Sequence, residues 1–251
     1  MTGRSAPAVL PPSLRLWLGA TAALAALVVV VLGVLYADAS TPGTVDARVF
    51  AAVYGVGPRW RHLALATDFL GEPVGAAALV VAAVTGCLLL RRPRAAVLVV
   101  AGAGATVGTT TLLKSLVGRT IYDGNLSYPS GHTAFLSALA LVVALLVTGR
   151  LDLGRAAGTS LVLVAALAAG AAMGWAQVAL GAHYPTDVLG GWCTALAVTP
   201  ATAWLVDRLA DRLADRPVSQ PVVDPTADRP TDPTADRTAD RPSDAGRPEP
   251  R

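Results

Sequence analysis

The residue types that could do chemistry in this chain are few, and they cluster in short polar segments between apolar stretches. These segments are residues 114–119, 128–132 and 181–187. They hold the only lysine, Lys114, and two of the three histidines, His132 and His183. Because almost all other basic charge comes from arginine, composition alone does not explain this placement. Histidines beside cations at the ends of apolar stretches indicate phosphate chemistry at a membrane face.

The segment Pro129-Ser-Gly-His132 opens an apolar stretch and predicts the start of a helix. Ser130 is a favoured capping residue, and the first N–H groups of a helix have no partner within it. Together with the helix dipole they form a site for an anion. His132 then lies in the first turn, where it can donate a proton to a bound group, although a capped helix start with a polar histidine explains the pattern equally simply.

His183 and Asp187 are four residues apart, just before the last apolar stretch. If the helix begins near Pro185, a residue suited to the first turn, Asp187 can reach back to one ring nitrogen of His183. That contact would fix the tautomer and leave the other nitrogen free as a nucleophile. The alternative is an exposed histidine satisfied by an acidic residue at a helix start.

Lys114 and Arg119 supply the cations of the first polar segment. Both are candidates for binding phosphate oxygens. Cations at a membrane edge also extend towards water or bind lipid headgroups, so this segment carries no assignment by itself.

The elements that position these residues are predicted to be membrane-spanning helices. The chain is 53% hydrophobic and 15% charged, whereas soluble domains are about 45–50% apolar and about 25% charged. Six apolar stretches approach the roughly 20 residues that a span requires. They are residues 16–36, 73–90, 95–113, 133–148, 156–180 and 188–206. The net charge of +3 does not indicate a nucleic-acid partner, because the arginines flank these stretches or alternate with aspartate.

Arginine-rich turns at residues 91–94 and 149–155 predict the orientation. The positive-inside rule places these turns and both termini in the cytoplasm. All three polar segments then face outward, together with residues 37–72, for which we expect interfacial helices. The first span is expected to be uncleaved, and Cys87 and Cys193 to be small buried apolar residues.

Four regions are therefore expected along the chain. Residues 1–15 form a cytoplasmic N-terminal segment, and residues 16–206 form the membrane domain. Residues 207–216 continue as a cytoplasmic helix. Residues 217–251, rich in Pro, Thr, Asp and Arg, are predicted to be disordered. The expected fold class is all-α, a six-helix membrane bundle.

Over about residues 60–205 the chain resembles the type 2 phosphatidic acid phosphatase (PAP2) superfamily, whose members are related to vanadium haloperoxidases. The family motifs are Lys-x6-Arg-Pro, Pro-Ser-Gly-His and Ser-Arg-x5-His-x3-Asp. Residues 129–132, the pair His183 and Asp187, and the following residues 188–191 (Val-Leu-Gly-Gly) match in order and placement.

The resemblance implies a role for each site residue. His183 would attack phosphorus to form a phosphohistidine, held in place by Asp187, and His132 would protonate the leaving oxygen. Lys114 and the Ser130–Gly131 backbone would bind the phosphoryl oxygens. The family mechanism needs neither a metal nor a cofactor.

The match is incomplete at two positions where the family has arginine. Ile121 and Tyr122 replace the Arg-Pro pair, and Ala176 and Gln177 replace the Ser-Arg pair. Arg119, two residues before the vacant position, is expected to bind phosphate in its place, and Gln177 is expected to donate a neutral hydrogen bond. Arg59 or Arg61 of the outer segment could also serve.

These observations favour a membrane phosphatase for a lipid phosphate or diphosphate, of the phosphatidate or prenyl phosphate type. A phosphotransferase that passes the phosphoryl group to an alcohol is one alternative. A non-catalytic membrane protein that binds lipid phosphates is another, favoured by the missing arginines. The expected partners are the lipid substrate and membrane lipids; the sequence leaves the oligomeric state open.

Overall fold

The computed structural model describes residues 7–122 and 124–215. Within them the chain forms eight α-helices, a 3-10 turn at Pro12–Leu14 and a two-stranded antiparallel hairpin. The helices are α1 (Arg15–Leu35), α2 (Thr44–Val53), α3 (Pro58–Phe69), α4 (Pro73–Leu89), α5 (Pro93–Val117), α6 (Gly131–Arg150), α7 (Arg155–Ala179) and α8 (Pro185–Ala214). The strands are β1 (Thr120–Ile121) and β2 (Asn125–Leu126). The tail expected at residues 217–251 lies outside the described residues.

Proline and glycine determine where many of these helices begin and end. Proline occupies the first turn of α3, α4, α5 and α8, where the missing N–H has no intrahelical acceptor to lose. Gly118 ends α5 in the left-handed conformation, with φ of 68°. That termination ends the helix directly before Arg119.

Five helices are long and apolar enough to cross a membrane: α1 with its 3-10 turn, α5, α6, α7 and α8. The sixth expected span is present when a bent pair of helices is taken as one span. The helix that begins at Pro73 has 17 residues, a length of about 26 Å that is short for a roughly 30 Å hydrocarbon layer. It joins α3 at a bend of 59°. Only α3 and α4 together are long and apolar enough to cross a membrane.

The core of the bundle lies where α8 packs against α1, α5 and α6. Glycines on α8 allow this close packing. A Cβ at Gly190 would lie 2.4 Å from the Tyr128 ring, and one at Gly191 would lie 2.3 Å from the Ser130 carbonyl oxygen. The Gly-Gly pair therefore brings the start of α8 against the segment that opens α6. Cys87 and Cys193 are buried free thiols, as predicted.

The opposite end of the bundle is closed by a buried carboxylate, Asp207 of α8. Its oxygens accept hydrogen bonds from the backbone N–H groups of Val9 and Leu10 at 2.8 and 2.9 Å. Arg94 of α5 lies 3.6 Å from Asp207 and 2.8 Å from Asp211. These contacts connect the N-terminal segment, α5 and α8 at the end where the arginine-rich turns lie.

Candidate active site

His183 lies in the short connection between α7 and α8, and Asp187 lies in the first turn of α8. The Asp187 Oδ2 atom accepts a hydrogen bond from the Tyr184 backbone N–H at 2.9 Å and lies 3.8 Å from His183 Nδ1. The His183 side chain is 8% exposed and that of Asp187 is fully buried. The four-residue spacing thus places the carboxylate beside Nδ1 and turns Nε2 away from it.

The surroundings of His183 favour the neutral imidazole. Burial lowers its pKa, and the positive charges of Lys114 and His132 lower it further. Asp187 opposes this shift, because its carboxylate lies 3.8 Å from Nδ1 and its negative charge favours the protonated ring. A neutral ring with one nitrogen beside a carboxylate is the form in which histidine acts as a nucleophile.

The start of α6 is joined directly to this pair. The Ser130 hydroxyl caps the helix by accepting from the Thr133 N–H at 3.4 Å, and the Ser130 N–H donates to the Asp187 carbonyl oxygen at 2.9 Å. The Ser130 N–H is therefore engaged within the protein. The N–H groups of Gly131 and His132 occupy the first turn, where a helix offers no backbone acceptor, so they are the donors available to an anion.

His132 faces two carboxylates that come from the bend between α3 and α4. Its Nε2 atom lies 3.7 Å from Asp68 Oδ1 and 3.6 Å from Glu72 Oε1. Gly71 lies against the imidazole, because a Cβ there would be 2.3 Å from a ring carbon. The bend thus positions the ring that is expected to donate a proton.

The same three side chains, Asp68, Glu72 and His132, offer ligand atoms within 4.8 Å of one another and form the metal-capable group of the described residues. A cation held there would occupy His132 Nε2. It would therefore compete with the proton that the ring is expected to deliver.

Lys114 is half-buried on the last turn of α5. Its positive charge lies close enough to His183 to lower the pKa of that imidazole. Gln177 is buried on α7, where its amide nitrogen donates to Asp68 and approaches the Met173 sulfur at 3.8 Å. The donor expected to replace a family arginine is thus directed at Asp68. Arg59 and Arg61 are exposed on α3.

Arg119 is fully buried and contacts two carboxylates. Its Nη1 donates to Asp187 Oδ1 and its Nη2 to Asp46 Oδ2, both at 2.6 Å. The guanidinium carbon also lies 4.0 Å from the centre of the Tyr36 ring and 4.9 Å from that of Tyr184. The phosphate-binding role expected for Arg119 would require this guanidinium to leave both acids.

Sequence reasoning missed Asp46, Asp68 and Glu72 as site residues. All three lie in residues 37–72, for which the sequence predicted interfacial helices. Acidic residues on such helices are ordinarily solvated. The signal that distinguishes Asp46 and Asp68 is their contact with Thr186 and Gln177, which follow them by 140 and 109 residues. Local spacing carries no trace of such contacts.

The bundle and the buried histidine define an all-α integral membrane protein with a polar site at one end. The model of the PAP2 superfamily matches residues 76–211, more than half of the 251 residues. The chain therefore belongs to the PAP2 superfamily. Asp46, Asp68 and Glu72 precede the matched region.

A solved structure described as the first transmembrane PAP2 type phosphatidylglycerolphosphate phosphatase, from Bacillus subtilis, is similar in fold. The TM-score is 0.60 at 21% sequence identity, over 77% of this chain and 97% of that one. At this identity the likeness concerns the fold. No curated protein sequence matches this chain significantly.

Proposed function

We propose that the chain is a membrane phosphatase that hydrolyses a lipid phosphate or diphosphate through a phosphohistidine. One observation carries this proposal: His183 is buried in surroundings that favour its neutral imidazole, and Asp187 lies beside its Nδ1 atom. Membership of the PAP2 superfamily supports it. The printed substrate of the similar structure, phosphatidylglycerolphosphate, is one lipid phosphate to be tested.

In the proposed reaction, Nε2 of His183 attacks the terminal phosphorus, the N–P bond forms and the bond from phosphorus to the leaving oxygen breaks. That oxygen belongs to the lipid alcohol in a monophosphate and to the inner phosphate in a diphosphate. His132 donates its proton to that leaving oxygen. Water then attacks phosphorus as the N–P bond breaks, and His132 accepts the proton of the water. Asp187 orients the ring and stabilises the positive charge that Nδ1–H acquires in the intermediate.

Charge on the phosphoryl oxygens would be balanced by Lys114 and by hydrogen bonds from the N–H groups of Gly131 and His132 at the start of α6. The Ser130 N–H donates to Asp187, and Gln177 would contribute only after its amide leaves Asp68. Arg119 retains its predicted phosphate role as a hypothesis that competes with the one argued in the next subsection. Preorganised cations and N–H groups can stabilise such charge without a metal.

We place the site on the extracytoplasmic face and both termini in the cytoplasm. The support is the separation of the arginine-rich turns from the polar segments. A lipid with its headgroup at that interface could enter sideways from the outer leaflet.

The test is phosphate release by the purified protein, with product analysis in the presence of an added alcohol. Release of inorganic phosphate that requires His183 supports the hydrolase. Phosphorylation of the alcohol would indicate the phosphotransferase. Binding without turnover would indicate the lipid-phosphate-binding protein, the alternative that the two missing arginines favour.

A further inference from the structure

We propose that Asp46 on α2 is a positioning residue, which acts through Arg119 to keep the Asp187 carboxylate available to His183. The inference rests on the proposed function and deepens it. It concerns a residue that lies before the region matched by the family model.

Three charged side chains, Asp46, Arg119 and Asp187, are fully buried together at one end of the bundle. Arg119 joins the two acids, each at 2.6 Å through a different terminal nitrogen. A buried ion group of this kind is costly to desolvate and is weak evidence for stability alone. A functional reason for keeping it is therefore worth seeking.

The charge balance supplies that reason. Paired with Asp187 alone, Arg119 would neutralise the carboxylate that faces His183. Asp46 adds a second negative charge to the same guanidinium, so the three groups together keep one net negative charge. The Asp187 Oδ1 atom is engaged by Arg119, while Oδ2 remains directed towards His183 Nδ1 at 3.8 Å.

Asp46 also fixes the start of α8. It accepts from the Thr186 N–H at 2.9 Å and from the Thr186 hydroxyl at 2.7 Å. Thr186 immediately precedes Asp187, and Arg119 donates to the same hydroxyl at 2.6 Å. The orientation of Asp187 is therefore fixed by two contacts of Asp46: its hydrogen bonds to the neighbouring Thr186 and its ion pair with Arg119.

This arrangement makes a prediction that separates positioning from phosphate binding. Both terminal nitrogens of Arg119 serve carboxylates, so Arg119→Lys should lower kcat and leave inhibition by vanadate nearly unchanged. An increase of about tenfold or more in the vanadate inhibition constant, with kcat retained, would instead show that Arg119 binds phosphate and would overturn this inference.

The direct test is the pKa of His183, measured by NMR on detergent-solubilised protein labelled with ¹⁵N-histidine. The chain has three histidines, which single substitutions assign. The charged groups that act on His183 are Lys114 of α5, His132 of α6 and Asp187 of α8. Asp46→Asn removes one negative charge and should lower the His183 pKa by about half a unit or more.

Three further variants test the same charge balance. Arg119→Gln leaves an additional negative charge and should raise the His183 pKa. The double variant Asp46→Asn/Arg119→Gln restores the net charge and should return the pKa towards the wild-type value. Asp46→Glu keeps the carboxylate and should keep the His183 pKa at its wild-type value. If Asp46→Asn fails to fold, the other variants still test the proposal.

The matched control is Asp207→Asn, which removes an equally buried carboxylate from the ion group at the other end of the bundle. It should affect stability and leave the His183 pKa unchanged. An unchanged His183 pKa in folded Asp46→Asn, or the same shift in Asp207→Asn, would overturn the proposal. Since this readout needs no turnover, absence of phosphatase activity would refute the proposed function separately.

Discussion

The surroundings of His183 favour the neutral ring that a phosphorus nucleophile requires, and they place a carboxylate beside one ring nitrogen. Burial and the nearby positive charges lower its pKa, while Asp187 raises it and lies beside Nδ1. The balance favours a ring that loses its proton below the ordinary pKa of about 6.5. The proposed nucleophile would therefore be available at neutral pH without a separate general base.

The pH profile should reflect this balance. In kcat/KM the limb attributable to His183 should fall only as the pH drops below about 6.5, because protonation removes the nucleophile. Asp187→Asn removes the group that raises the His183 pKa, so that limb should move to lower pH. Turnover should also fall on the order of 10³-fold because the ring loses its orientation. A limb that moves to higher pH would contradict this assignment.

Chelation tests the metal-free route. The proposed mechanism assigns His132, one of the three residues of the Asp68–Glu72–His132 group, to proton transfer without a metal, so EDTA should change the rate of phosphate release by less than about twofold. Strong inhibition that a divalent metal reverses would show that this group holds a catalytic cation. The measurement is the initial rate before and after dialysis against EDTA, with each divalent metal added back.

Restoring the missing arginine should strengthen phosphate binding. Gln177 donates to Asp68, which lies beside His132, so Gln177→Arg places a guanidinium next to a carboxylate near the proposed site. Vanadate and phosphate should inhibit this variant about tenfold more strongly, because a charged forked donor replaces a neutral one. Gln177→Leu is the matched control without a donor. Equal inhibition of both variants would show that this position does not contact phosphate.

At the scale of elements, the sequence predicted the helices well and their contacts poorly. Apolar length and the Pro-Ser-Gly-His and His-x3-Asp spacings are local properties, and they placed five spans and the starts of α6 and α8. The bend between α3 and α4 was missed because Pro73 looks like the beginning of an independent span. That bend carries Asp68 and Glu72 to His132, and the packing of α2 carries Asp46 to Arg119. Such contacts depend on tertiary packing that no local pattern encodes.

The close approach of α8 to the opening of α6 should be sensitive to a single methyl group. A Cβ at Gly191 would meet the Ser130 carbonyl oxygen at 2.3 Å. Gly191→Ala should therefore displace the Ser130–Asp187 contact, cost about 1–3 kcal/mol of stability and lower kcat. Gly86→Ala is the matched control, since a Cβ there meets nothing within 4 Å. Thermal unfolding in detergent and phosphate release measure both effects, and equal behaviour of the two variants would contradict the packing argument.

At the scale of the whole molecule, the bundle separates two polar ends. One end holds the histidines and the outer helices, and the other holds the arginine-rich turns and the Arg94–Asp207 contact. The positive-inside rule predicts that the arginine-rich end lies in the cytoplasm, a prediction that still has to be tested. The proposed substrate would therefore reach the site from the extracytoplasmic leaflet.

Cysteine labelling tests that direction. Asn125 and Asp152 are exposed at opposite ends of the bundle, and the native cysteines are buried. A membrane-impermeant maleimide should label Asn125→Cys in intact cells and Asp152→Cys only after permeabilisation. The reverse pattern would place the site in the cytoplasm.

The most direct test of the central claim is phosphate release from a panel of lipids by the purified wild-type protein and His183→Ala. The panel comprises phosphatidate, phosphatidylglycerolphosphate, a prenyl monophosphate and a prenyl diphosphate. We predict that wild-type protein releases phosphate from at least one of them, and that His183→Ala, with the same thermal unfolding midpoint, releases none above background. Release by His183→Ala at the wild-type rate, or no release by either protein from any of the four lipids, would contradict the account.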